Sequence, residues 1–92
     1  MKTFKDITFK QHRLGKGHIQ GSLMLDNGIE LSVVAGNGMY STSKNGARSA
    51  VNKVKDVASF EVAIIDKDGE FVGDVLGWQG REDIDNLIKK LS

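Results

Sequence analysis

The pair Asn27-Gly28 lies between two apolar-rich runs, His18 to Leu25 and Ile29 to Val34. Asn and Gly tolerate the positive φ values of a type I′ turn better than other residues, so this spacing predicts two antiparallel strands joined by a tight turn. A second run, Ser59 to Ile65, is followed by the turn chemistry of Asp66-Lys67-Asp68-Gly69. Its return strand is expected over Glu70-Phe71-Val72, extending toward Val75-Leu76. Ile7-Thr8-Phe9 alternates and reads as a short first strand. Arg81 to Leu91 places Ile84, Leu87, Ile88 and Leu91 on one helical stripe, with acids near its start and lysines near its end, as the helix dipole favours. Gly77-Trp78-Gln79-Gly80 is expected to redirect the chain. Between Ala47 and Ala58 the apolar residues recur at helical spacing, which fits a short amphipathic helix or a mobile basic loop. The resulting fold class is α+β: one domain over residues 1–92, an antiparallel sheet of about four to five strands covered by a C-terminal helix.

That sheet must stand on its core alone. The sequence of 92 residues has no cysteine, which excludes disulfides and Cys-based metal centres. A core this small predicts help from self-association, so a homodimer is expected. The apolar stretch Val62-Ala63-Ile64-Ile65 falls far short of the roughly 20 residues that cross a bilayer, and Met1-Lys2-Thr3-Phe4 opens no signal-peptide pattern. A cytoplasmic protein without membrane contact is expected.

Charge is unevenly spread although the net value is only +1. Residues 1–60 hold nine Lys and Arg against four Asp and Glu, whereas residues 61–92 hold four against eight. The two halves can be complementary solvated faces, or the basic segments can converge on an anionic ligand. Two basic loops, Gln11 to Gly17 and Asn37 to Lys55, hold Arg13, Lys16, Lys44, Arg48, Lys53 and Lys55, and neither looks needed for the core. Trp78, following Gly77, most simply closes the core between sheet and helix, with an aromatic platform for a ligand or partner as the alternative. Tyr40, in a glycine-bounded loop, is the better interaction candidate. The candidate binding residues are therefore Arg13, Lys16, His18, Asn37, Tyr40, Lys44, Arg48 and Trp78.

Catalytic and metal motifs are not met. Gly15-Lys16-Gly17-His18 lacks the spacing of a phosphate loop, and Gly36-Asn37-Gly38 lacks the last glycine of a dinucleotide fingerprint. Asp66-Lys67-Asp68-Gly69-Glu70 has strands at its flanks where a calcium loop has helices, and Gly77 where that loop needs a bidentate acid. His12 and His18 are too few to hold a metal. No enzyme, cofactor or metal is expected.

The string Asp26-Asn27-Gly28 with Leu31-Ser32-Val33-Val34-Ala35-Gly36, then Phe60-Glu61-Val62-Ala63-Ile64-Ile65-Asp66, Val75-Leu76-Gly77-Trp78 and a final helix resembles a group of small bacteriophage-encoded accessory proteins. The resemblance covers roughly residues 18–91, and its motifs are structural. It implies a non-enzymatic protein that antagonises a host defence system by stoichiometric association with a defence protein or its anionic nucleotide signal. A nucleic-acid-associated protein is the less favoured alternative, with Lys10, Arg13, Lys16, Arg48, Lys53 and Lys55 on phosphates and a steep salt dependence. Should the basic loops be dispensable, the acidic face of Glu82, Asp83 and Asp85 is the remaining candidate.

Overall fold

A computed structural model describes residues 2–36, 38–44 and 53–92. Among them the chain forms a six-stranded, wholly antiparallel sheet and one C-terminal α-helix. The strands are β1 (Thr8–Gln11), β2 (His18–Met24), β3 (Glu30–Gly36), β4 (Thr42–Ser43), β5 (Val57–Ile65) and β6 (Leu76–Gln79), followed by α1 (Arg81–Leu91). The sheet order is β1-β2-β3-β5-β4, and β6 also pairs with β5. No helix among the described residues is long and apolar enough to cross a membrane.

Both predicted hairpins form, with a turn chemistry different from the expected type I′. The Gly28 N–H donates to the Leu25 carbonyl (3.0 Å), the Leu25 N–H donates to Ile29 (2.7 Å), and Gly28 has φ 89°. Asn27 does not share the positive φ. Asp26 and Asn27 thus form the turn and Gly28 the left-handed residue of a bulge, the usual three-residue hairpin. Asp66 to Gly69 repeats it, with Gly69 N–H on the Asp66 carbonyl at 2.9 Å and Gly69 at φ 84°.

Alternation along the strands sorts residues into two faces. One face buries Ile19 and Leu23 of β2, Leu31, Val33 and Ala35 of β3, and Phe60 and Val62 of β5, in one cluster with Ile84 and Ile88 of α1. Leu87 and Leu91 pack at its border, as the helical stripe predicts. Each fully buried Leu, Ile or Phe contributes about 1.5–3 kcal/mol. Phe4, Phe9 and Phe60 form an aromatic trio with ring centroids 5.2–5.8 Å apart. Arg81 seals this cluster, since its guanidinium lies 5.3 Å from the Phe4 and Phe60 ring centroids and donates to the Val54 and Val57 carbonyls, both at 2.8 Å. Asp83 caps α1 by accepting the Gly80 N–H (2.8 Å), and Asp85 accepts the Phe4 N–H (2.7 Å).

Four expectations are corrected. The helical reading of Ala47 to Ala58 fails over its described part: Val54–Asp56 is a single 3-10 turn, and Val57 and Ala58 already belong to β5. Residues 45–52 lie outside the described set. The return strand does not run through from Glu70: Phe71 makes one bridge to Ile65 and Val72 N–H donates to Ile64, but residues 73–75 leave the sheet and β6 begins at Leu76. Gly77, Trp78 and Gln79 are strand, and the chain changes direction only at Gly80. Trp78 does not close the core, because its side chain points away from it and is 54% exposed.

Candidate functional site

The displacement of Trp78 starts in the β5–β6 register. Phe60 pairs with Gln79 and Val62 with Leu76, so Gly77 and Trp78 together oppose Glu61. Two residues facing one make a β-bulge, which re-aims the side chains around it. Trp78 takes the left-handed residue's conformation, φ 53°, and is the one described non-glycine residue with positive φ. A bulky side chain there costs about 1–2 kcal/mol, so the surrounding contacts must hold it.

Those contacts come from the segment between β3 and β4. Tyr40 stacks on Trp78 in a tilted arrangement with ring centroids 5.3 Å apart. The Trp78 N–H, turned out of the ladder by the bulge, donates to the Tyr40 carbonyl at 2.8 Å. The Tyr40 N–H donates to the Glu61 carboxylate at 3.2 Å. Glu61 points away from the core because its neighbours Phe60 and Val62 point into it. Gly77 permits the approach, since a Cβ placed on it would lie 2.9 Å from Tyr40 Cβ. Ser41 fastens the same segment from below: it is buried, accepts the Gly36 N–H at 3.1 Å and lies 3.4 Å from the Gly36 carbonyl. This part of the predicted loop is therefore structural, against the expectation that neither basic loop serves the fold.

Beside the aromatic pair lies a cleft of about 470 Å³, whose walls include Tyr40, Ala63, Phe71, Asp74 and Val75. Phe71 and Val75 are exposed at its rim, so the apolar surface here continues beyond the pair itself. The charges around it are acidic. Asp74 lines the cleft, and the neighbouring hairpin carries Asp66, Asp68 and Glu70 against one lysine, Lys67. Asp66 has a local task, its Oδ1 accepting the N–H groups of Asp68 (2.9 Å) and Glu70 (3.0 Å).

The basic candidates form a second surface. Arg13 and Lys16 are exposed on the β1–β2 turn, and His18, half-buried, opens β2 opposite Gly36. Both basic segments therefore reach the same end of the sheet. Leu14, 65% exposed, stands between Arg13 and Lys16. Within the turn, His12 Nδ1 accepts the Leu14 N–H at 3.0 Å, and partial burial, then Arg13, then His18 lower the pKa of His12 below its usual value. Lys44 is exposed just after β4. Asn37 and Arg48 lie outside the described residues. From β2 to β6 is three strand spacings, or about 14 Å, which sets Trp78 apart from the start of β2, whereas Tyr40 follows Gly36, the partner of His18, by four residues.

Of the acidic alternative, Asp83 and Asp85 are engaged in capping α1 and anchoring Phe4. Sequence reasoning missed Glu61, Phe71, Asp74 and Gly77. The Gly77-Trp78 pair carried a usable signal, because Gly within a strand marks a bulge or a close approach. Among the described residues no group of three His, Asp or Glu is placed to hold a metal ion. No family model, curated protein or solved structure matches this chain.

Proposed function

We propose that this chain is a non-enzymatic binding protein that acts by stoichiometric association, with Tyr40 and Trp78 as the anchor of its interface. The observation that carries the reading is Trp78: a large aromatic ring kept 54% exposed in a backbone conformation that opposes it, and braced there by Tyr40, Gly77 and Glu61. Strain of this kind is retained where function requires the geometry. Trp and Tyr are also the residues that most often dominate binding energy, because they bring large rigid areas to a contact at small entropic cost.

In the bacteriophage setting implied by the sequence resemblance, the partner is a host defence protein or that system's anionic nucleotide signal. Glu61 and Asp74 beside the aromatic anchor favour the protein, since both carboxylates repel phosphate. The exposed Arg13 and Lys16 on the β1–β2 turn support the second reading, association with nucleic acid through phosphate contacts.

Affinity purification from host lysate with the tagged wild type, Trp78→Ala, and Arg13→Ala combined with Lys16→Ala separates these readings. Proteins and small molecules released on denaturation are identified by mass spectrometry. One protein, retained near one-to-one by the wild type and by the double variant but lost with Trp78→Ala, is expected. Retention by Trp78→Ala overturns the anchor, and a nucleic-acid catch lost only in the double variant supports the second reading instead.

A further inference from the structure

The cleft beside Tyr40 and the charges around it point to the chemistry of what enters it, and this inference rests on the binding reading above. We propose that the cleft takes a cationic side chain, Arg or Lys, from a basic segment of a partner protein.

Three observations combine. The cleft, about 470 Å³, is bounded by the aromatic rings of Tyr40 and Phe71 and the aliphatic groups of Ala63 and Val75, which suits the methylene stem of a long side chain. Aromatic faces carry negative quadrupole charge and attract a guanidinium or ammonium placed over them. Among the described residues the one carboxylate in the wall is that of Asp74, with Glu61 engaging the Tyr40 N–H nearby. A phosphate entering here meets like charge from Asp74 and from the hairpin, where Asp66, Asp68 and Glu70 outnumber Lys67, whereas a cation meets attraction from the same groups. Charge complementarity therefore selects a basic polypeptide segment over a nucleotide for this cleft.

Trp78 is the single tryptophan of the chain and stacks on the Tyr40 ring that lines the cleft, so its emission reports occupancy. The full-length protein is titrated with hexaarginine, hexaglutamate, ATP and an oligothymidylate at about 50 mM salt, where surface electrostatics are weakly screened. Hexaarginine is expected to shift Trp78 emission saturably, and the other three probes are expected to leave it unchanged. Asp74→Asn should weaken hexaarginine about three- to five-fold, the scale of one exposed charge contact. Phe71→Ser should weaken it about two- to five-fold through loss of one aromatic wall. Asp68→Asn makes the same charge change on the adjacent hairpin but outside the cleft, and should leave affinity within about two-fold. Both acidic positions are exposed, so the folded state survives either change.

An equal loss in Asp68→Asn and Asp74→Asn overturns the proposal, because general attraction then explains the binding. A Trp78 response to ATP or oligothymidylate matching that to hexaarginine overturns it as well. Sedimentation showing a dimer that Trp78→Ala dissolves assigns the cleft to a second copy and also overturns it. Should Trp78→Ala abolish partner capture while Asp74→Asn leaves it intact, the binding reading stands and the cationic occupant falls.

Discussion

Replacing Trp78 by Ala and by Gly removes the same ring, so the difference between the two variants isolates the backbone. At φ 53° an L-residue pays roughly 1–2 kcal/mol that glycine does not. Against this, glycine loses about 0.4–1 kcal/mol relative to alanine through the greater freedom of its unfolded chain. The balance leaves Trp78→Gly more stable than Trp78→Ala by about 0.5–1 kcal/mol. At an ordinary strand position the order is the reverse, with glycine worse by about 0.5–1 kcal/mol. The sign is therefore the test. For a domain of this size the melting temperature of Trp78→Gly should exceed that of Trp78→Ala by about 2–8 °C. Thermal and urea unfolding of both variants, followed by far-ultraviolet circular dichroism, measure it. If Trp78→Ala is equally or more stable, Trp78 is not strained, and the inference from strain to an exposed anchor loses its basis.

Gly77→Ala brings a Cβ to 2.9 Å from Tyr40 Cβ, so it should break the Trp78–Tyr40 contact, cost about 1–3 kcal/mol and red-shift Trp78 emission; unchanged emission and stability would refute the bracing. Arg81→Met keeps the aliphatic stem but loses the contact with Phe4 and Phe60 and the two hydrogen bonds to the Val54 and Val57 carbonyls, of which Val54 keeps the Val57 N–H, and should cost about 2–4 kcal/mol in urea titration. Lowering of the His12 pKa means that the unfolded chain takes up the proton first. The contribution of His12 is therefore fully present above about pH 6.5 and is lost as pH falls from there toward the folded-state pKa, so the stability of His12→Asn should fall less than that of wild type between neutral and mildly acidic pH. Parallel profiles for the two proteins would show that His12 does not titrate this way.

Much of the fold is written locally. Asp26-Asn27-Gly28 and Asp68-Gly69 supply a left-handed glycine at the one position each hairpin requires, and that requirement depends on a few consecutive residues. The stripe of Ile84, Leu87, Ile88 and Leu91 likewise states both the helix and its buried face. The segment from Val54 to Ala58 shows where local pattern fails, since its apolar spacing suits a helix but Val57 is buried as the first residue of a strand with Ser43 as its partner. Pairing across the sheet, which no local window contains, outweighs a weak helical preference.

The candidate site divides in the same way. Tyr40 in its glycine-bounded loop, and Arg13 and Lys16 beside Gly15 and Gly17, were legible because glycines and charges mark loops in sequence. Glu61, Phe71 and Asp74 were not, because alternation leaves Glu61 as one more outward residue and a turn leaves Asp74 as one more solvated acid. By itself the sequence determined the hairpins, the helix and the basic turn, all of which follow from neighbours within a few positions. Tertiary structure alone decided where Trp78 points. One extra residue in β6 against β5 turns the ring from the core to the surface and toward Tyr40, 38 positions earlier in the chain, because strand facing depends on pairing register and register is a property of two distant segments together.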